Sequence, residues 1–350
     1  MKRANLLVYI FVAGVILSCT PRGSKTVVET FEISLSPVCE DDILLGMPNK
    51  LALSGNIMAI SDTKMDSLVH FVNVRDGKYI GKGCVYGQGP NEMSMITSLN
   101  PMGEHGYTVY EPNRRTLYRM YPDGAGGRIE TLFYNGRDSV HFHREVHPLT
   151  DGNYVATGFY RSFQFCLLDS LGNVCRTFGE YSFRDEQERE VPEIVKSQVY
   201  QAAMTVAPSA THLLAYCLLG DILSFYKVEK GVPVLQETRC LSFPEYKYDG
   251  ENYLGASQEN KLAYLDAAST DDYIFLLYSG RSIREEGMKA FAGNTVCVYN
   301  WNAEKVAELK SDMDLKCLSL SPDGTVVYAI VIDGNPVLMK FSLPEKFQKR

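Results

Sequence analysis

The sequence predicts an all-β domain closed as a six-bladed β-propeller, set behind a short export signal. Three observations carry that reading. Runs rich in Val, Ile, Leu, Tyr and Phe alternate with Asp-Gly, Gly-Asn and similar turn pairs along most of the chain. One plan recurs: apolar strand, turn, apolar strand, turn, a third strand often ending in an aromatic, turn, and a more polar fourth strand. Six such units can be counted, and the last lacks its fourth strand.

The first unit runs 50–54, the turn Gly55-Asn56, 57–61, a loop, 67–74, the turn Arg75-Asp76-Gly77, then 78–86. The second contains 107–110, 116–121 and 128–133. The third runs 145–149, Asp151-Gly152-Asn153, 154–160, 163–169, Leu171-Gly172-Asn173 and 174–178. The fourth contains 213–219, 222–228 and 232–241, and the fifth 273–278, 295–301 and 305–309. The sixth is 316–321, Pro322-Asp323-Gly324, 325–332, Asp333-Gly334-Asn335 and 336–343. The turns between third and fourth strands are spaced by about 47, 48, 59 and 72 residues, so the later units carry insertions. Residues 184–200 pass from charged to apolar at helical spacing (Val191, Ile194, Val195, Val199) and predict a short amphipathic helix. Segments 245–260 and 283–293 are Gly- and charge-rich loops with some helical potential.

The missing outer strand of the sixth unit has a candidate at the start. Residues 30–35, Thr-Phe-Glu-Ile-Ser-Leu, alternate polar and apolar and have no other home. Pairing them with the last unit ties first to last and covers edges that a bare sheet would expose.

The chain opens Met1-Lys2-Arg3 and is then uncharged from Leu6 to Leu17. That apolar run has the length of a signal-peptide core and is too short to span a bilayer. Ile16-Leu17-Ser18-Cys19 resembles the bacterial lipobox. The peptidase takes a small side chain before the cut, and only a thiol carries the diacylglycerol thioether. Residues 1–18 are thus expected to be removed and Cys19 to be lipidated; an ordinary secretory signal or a retained anchor is the plain alternative. Two or three acyl chains anchor stably where one would be marginal. Residues 19–28 then form a polar tether. Residue 20 is Thr, not Asp, and no acidic run follows Cys19. By likeness to lipoprotein sorting, both point to the outer membrane and its periplasmic side.

Without Lys2 and Arg3 the chain holds 33 basic and 42 acidic residues, a net charge of −9. A net acidic chain has no general attraction for nucleic acid or anionic lipid. Eight cysteines follow Cys19 and none forms a CxxC, which argues against zinc and thioredoxin-type centres. Most lie in apolar runs, as small apolar side chains do. Cys166 and Cys175 flank a turn and are the one pair considered for a disulfide.

Tyr86-Gly87-Gln88-Gly89-Pro90-Asn91-Glu92-Met93 follows the strand Asp76-Gly77-Lys78-Tyr79-Ile80-Gly81. Together they resemble the G-x-G-P-x-E stretch after the first blade of the TolB-like six-bladed propeller lipoproteins of Bacteroidota. Residues 294–301 look like that family's last blade but one. The family usually has Gly where Asn91 stands; Asn tolerates a left-handed turn better than most residues. The resemblance implies a fold and a membrane address, not an activity.

Motifs for chemistry are sparse. Gly87-x-Gly89-Pro90 lacks the Lys and the longer Gly arc of a phosphate loop, although Asn91 and Glu92 could reach a ligand in the channel. His141, His143, Glu145 and His147 would share one face of a strand and could converge; HExxH spacing is absent. Ser61-Asp62-Thr63-Lys64 matches S-x-x-K but lacks the K-T-G strand of that chemistry. Asp41-Asp42 and Asp271-Asp272 read as turn residues. The expectation is therefore a non-enzymatic binding or scaffold lipoprotein without cofactor or metal, with a protein or glycan partner on the face decorated by the three insertions. Candidate ligand contacts are Glu92, Asn91, His141, His143 and His147. The alternative is a periplasmic lyase or hydrolase working in the axial channel.

Overall fold

A computed structural model describes residues 28–39, 43–89, 92–122, 127–149 and 152–348. The signal segment, Cys19, most of the tether, Asp41, Asp42, Pro90 and Asn91 lie outside them.

The chain opens with two short strands, β1 (Glu29–Glu32) and β2 (Ser36–Pro37). Blade one is β3 (Pro48–Ser54), β4 (Ile57–Asp62), β5 (Ser67–Asn73) and β6 (Lys78–Val85). Blade two is β7 (Ser98–Met102), β8 (Gly106–Glu111), β9 (Thr116–Tyr121) and β10 (Arg128–Tyr134). Blade three is β11 (Phe142–Pro148), β12 (Tyr154–Phe159), β13 (Phe165–Leu168) and β14 (Val174–Phe178). Blade four is β15 (Ala202–Val206), β16 (His212–Cys217), β17 (Ile222–Glu229) and β18 (Val232–Cys240). A small hairpin, β19 (Tyr246–Tyr248) with β20 (Tyr253–Ala256), then precedes blade five.

Blades five and six are joined through one long strand. β21 (Tyr264–Ser269), β22 (Tyr273–Tyr278) and β23 (Gly293–Asn300) lead to β24 (Lys305–Leu320). The first part of β24 pairs with β23 and closes blade five. Its second part pairs with β25 (Val326–Asp333) and is the inner strand of blade six, followed by β26 (Asn335–Ser342).

Burial explains why the strands read as nearly continuous apolar runs: both faces of each blade are covered. Alternate residues of one strand serve different neighbours. On β4, Met58 and Ile60 pack toward blade six, whereas Ala59 packs toward blade two. On β25, Tyr328 and Ile330 pack toward blade one, whereas Val327, Ala329 and Val331 pack toward blade five. Six apolar clusters fill the six interfaces around the ring. The core is thus annular, packed between neighbouring blades around a central cavity.

Closure by the chain start holds, with different residues in the pairing. Ser36–Pro37 takes the outer place of blade six, opposite Lys340 and Met339, and Val38 N donates to Leu338 O at 3.1 Å. The alternating residues 30–35 do not. Glu29–Glu32 runs parallel to β24, Phe31 opposite Leu309, and adds an edge to blade five. Phe31 and Ile33 join the core between blades five and six, where Phe347 and Tyr273 complete the packing. The apolar residues of this segment gain more from that inter-blade core than from an exposed outer edge. Gly77 shows how tight the seam is: its φ is +71°, and a Cβ there would stand 2.6 Å from Val38 O.

The insertions form a cap. Segment 184–200 is helical as expected but broken at Pro192 into α1 (Glu186–Arg189) and α2 (Glu193–Val199). Pro lacks the N–H that would continue the first helix. Val191, Val195 and Val199 are buried against Tyr246 and Tyr253 of the hairpin. Segment 245–260 is that hairpin rather than a helix. Segment 283–293 opens with α3 (Ile283–Glu286), and Arg284 joins it to the residues just after the hairpin through Gln258 O at 3.0 Å and Glu259 at 2.9 Å.

Candidate functional site

The inner strands β3, β7, β11, β15, β21 and the second part of β24 surround a funnel of about 640 Å³. Its rim is built by the turns that follow those strands, at Gly55, Glu104, Pro208, Asp271 and Pro322. The insertions enter where inner strands begin, or between the second and third strands of blade five. In antiparallel blades that is the opposite face, so the cap lies away from the funnel mouth.

The walls are mostly apolar (Leu99, Leu149, Val206, Ala268, Leu320) and the floor is polar. Lys50, Glu145 and Asp266 sit near the middle of the inner strands of blades one, three and five, alternate blades around the axis. Lys50 Nζ is 3.5 Å from Glu145 Oε1 and 3.9 Å from Asp266 Oδ1. The other oxygen of each carboxylate is engaged elsewhere: Glu145 Oε2 with His147 Nε2 at 3.4 Å, and Asp266 Oδ2 with the Leu318 N–H at 2.8 Å. Asn100, from blade two, holds His147 Nδ1 at 2.8 Å. Glu145 is 2 % exposed and the side chain of Asp266 9 %, whereas that of Lys50, at 23 %, reaches the cavity.

Burial works against the charge on Lys50, but Glu145 and Asp266 together outweigh it and raise the ammonium pKa. Burial also favours the neutral acid at Glu145; Lys50 and the His147 hydrogen bond overcome it and hold that carboxyl well below the usual range. At Asp266 burial wins over the more distant Lys50, and the carboxyl is pushed up. The tight partners are therefore Lys50 and Glu145, with Asp266 the more easily protonated acid.

The expected histidine face is only partly assembled. A bulge between His143 and Glu145 breaks the alternation of β11. Beyond it, Glu145 and His147 point to the axis. Before it, His143 is 1 % exposed and lies 2.5 Å from Tyr160 Oη through Nδ1. Burial lowers its pKa to about 4. His141 lies outside the funnel, 2.7 Å from Asp138. Glu92 is not in the funnel either: it folds back onto its own loop, accepting the Gly89 N–H at 2.7 Å. A Cβ at Gly87 would stand 2.0 Å from Glu92 Oε2, so that glycine makes room for the carboxylate. Gly87, Gly89 and Glu92 of the G-x-G-P-x-E stretch form a clamp between blades one and two. Asp62, inside the S-x-x-K match, is likewise a clamp, accepting the N–H groups of Gly46, Met47 and Lys64 at 2.6, 2.8 and 3.0 Å. Cys166 and Cys175 are free thiols, one buried and one exposed, and Cys166 stands opposite Thr177.

Sequence reasoning missed Lys50, Asp266 and Asn100. Each is a polar residue inside an inner strand whose following positions are mostly apolar, a signal available once units are aligned strand by strand. The family profile of TolB-like 6-blade propeller-like proteins matches residues 30–323. The chain belongs to that family. No curated protein matches the sequence. Among solved structures, TolB-like membership agrees with likeness to other propellers. A putative exported protein from Bacteroides fragilis NCTC 9343 is 13 % identical, with TM-score 0.55 over 91 % of this chain and 99 % of that one. The calcium-binding protein regucalcin from Agrobacterium tumefaciens str. C58 is 10 % identical, with TM-score 0.54 over 90 % and 95 %. A luciferin-regenerating enzyme is 9 % identical, with TM-score 0.54 over 89 % and 96 %. At these identities the likeness is one of fold.

Proposed function

We propose that this propeller is a non-enzymatic binding lipoprotein. Cys19 carries the lipid, the outer membrane holds it, and the periplasmic side is where the funnel takes its ligand. One observation carries the binding reading: a single funnel with apolar walls and a polar floor drawn from several blades, the usual make-up of a small-molecule site. Among the described residues, the Tyr216 ring and the His147 imidazole are the only aromatic groups of the lining. A glycan would be met by stacked aromatic faces, so a small ligand with an apolar body fits better than the protein or glycan partner first expected. The lipobox residues support the anchor, and among the described residues no helix is long and apolar enough to cross a membrane.

Regucalcin's calcium does not transfer. Among the described residues no three His, Cys, Asp or Glu side chains converge as metal ligands. The gap between Glu145 and Asp266 is taken by Lys50.

A second reading, a hydrolase or lyase, is favoured by one feature. Glu145 and Asp266 are pushed in opposite directions beside His147, as in acid–base pairs. The test is capture of small molecules from envelope extract, read by mass spectrometry, with the wild type and with Thr205→Trp, which places an indole at the funnel wall. Binding predicts one compound retained unchanged by the wild type and lost in the variant. Equal retention by both overturns the funnel; conversion of the compound, abolished by Glu145→Gln, replaces binding with catalysis. Membrane fractionation of Cys19→Ser, expected to move to the soluble fraction, tests the anchor.

A further inference from the structure

We propose that Lys50 Nζ is a tethered cation at the propeller axis, holding Glu145 and Asp266 together in place of a bound divalent ion and offering its free N–H to an uncharged oxygen acceptor of the ligand. The placement rests on geometry. Two carboxylates come from blades three and five, the ammonium comes from blade one, and all three meet at one level of the axis. Each carboxylate directs one oxygen at Nζ and has its other oxygen fixed by a different group. Calcium requires oxygens at 2.3–2.6 Å and six or more of them. The oxygens around Nζ stand at 3.5 and 3.9 Å, and no third carboxylate joins them among the described residues. Arg144 adds a second positive charge that interacts with Glu145 and Lys50, so two acids face two bases.

The ligand consequence follows from donor counting. An ammonium has three N–H donors. Lys50 makes one side-chain hydrogen bond among the described residues, to Glu145. Its remaining donors are available to the cavity that it partly lines. A carboxylate or phosphate arriving there would meet Asp266 and, at the rim, Glu104 and Asp271, with Glu145 buried just behind Lys50. A carbonyl, hydroxyl or ether oxygen meets the same N–H without that repulsion. The ligand half of the proposal rests on the funnel reading above; the cation half does not.

The experiment uses thermal unfolding and calorimetric titration of the lipid-free chain. The probes for the cation are calcium chloride and n-propylammonium chloride, the latter matching the part of the lysine side chain removed in Lys50→Ala. The wild type is expected to respond to neither. Lys50→Ala is expected to bind at least one of them about tenfold or more tightly than the wild type does, with its melting temperature rising toward the wild-type value. Stoichiometric calcium binding by the wild type, or indifference of Lys50→Ala to both probes, overturns the tethered cation. If Lys50→Ala folds only when a probe is present, the proposal is supported; if neither it nor Lys50→Gln is recovered with either probe, it is overturned. The ligand half is read with n-hexanamide and n-hexanoate on the wild type. Binding of the amide alone supports it, and binding of the carboxylate alone overturns it while the cation result stands. Failure of both, with the cation result intact, counts against the funnel as the ligand site.

Discussion

Cutting two partners from the axial cluster should cost less than the sum of cutting each alone. Lys50→Met leaves Glu145 and Asp266 facing each other with no charge between them, and Glu145 is 2 % exposed. Removing one member of a buried pair costs about 3–5 kcal/mol, chiefly because the survivor stays buried and uncompensated. With an unfolding entropy of about 2 cal/mol/K per residue, a domain of this length loses about 1.5 °C per kcal/mol, so the melting temperature should fall by about 4 to 8 °C. Glu145→Gln should fall by a smaller amount in that range, since Asp266 still faces Lys50 at 3.9 Å. In the double variant Asp266 is the one carboxyl of the pair that remains, and it is the acid already disposed to take a proton. The double variant should therefore be more stable than the sum of the singles, by about 1–3 kcal/mol. The assay is urea unfolding at pH 7 on all four proteins, with the slope compared to confirm one transition. Strict additivity would refute the cluster as an interacting unit.

Acid should weaken the fold through His143. Its folded pKa is near 4 because burial disfavours the imidazolium, against 6.5 in the open chain. Stability from this group is full above pH 6.5 and is lost as pH falls toward 4, by about 3 kcal/mol at most; urea midpoints at pH 7 and pH 5 should differ less in His143→Phe than in the wild type. Gly87→Ala should cost about 1–2 kcal/mol by colliding with the Glu92 carboxylate, and Glu92→Ala in the same chain should restore part of it in thermal melts. Removing residues through 39 deletes β1 and β2, bares the outer edges of blades five and six, and should give a lower melting temperature and concentration-dependent aggregation by light scattering.

The fold was legible because a propeller writes its architecture into repetition. Turn pairs such as Asp76-Gly77 and Asp323-Gly324 mark strand ends, and strands buried on both faces read as apolar runs. Which residues closed the ring was less legible. Residues 30–35 and 36–37 both lie near the start, and the choice between two edges depends on packing between blades five and six, which no local pattern contains. The cap was half legible: Val191, Val195 and Val199 announce a helix, whereas the partner they cover comes from the hairpin some fifty residues later. The candidate site was the least legible. Three histidines close in sequence drew attention, yet the bulge in β11 sends His143 into the wall and only Glu145 and His147 to the axis. Their partners Lys50 and Asp266 come from blades one and five, and only closure of the ring brings them together.

The most direct test of the account is the protonation state of Lys50 itself. Nitrogen-15 NMR of the lysine Nζ groups, with the resonance assigned by its loss in Lys50→Met, reports it through a pH titration. The account predicts an ammonium signal that persists above pH 10.5, where an ordinary lysine is half neutral, and that shifts toward ordinary behaviour in Glu145→Gln. A Lys50 signal that titrates below pH 10.5, or that ignores Glu145→Gln, would contradict a charged lysine held at the axis by carboxylates of other blades.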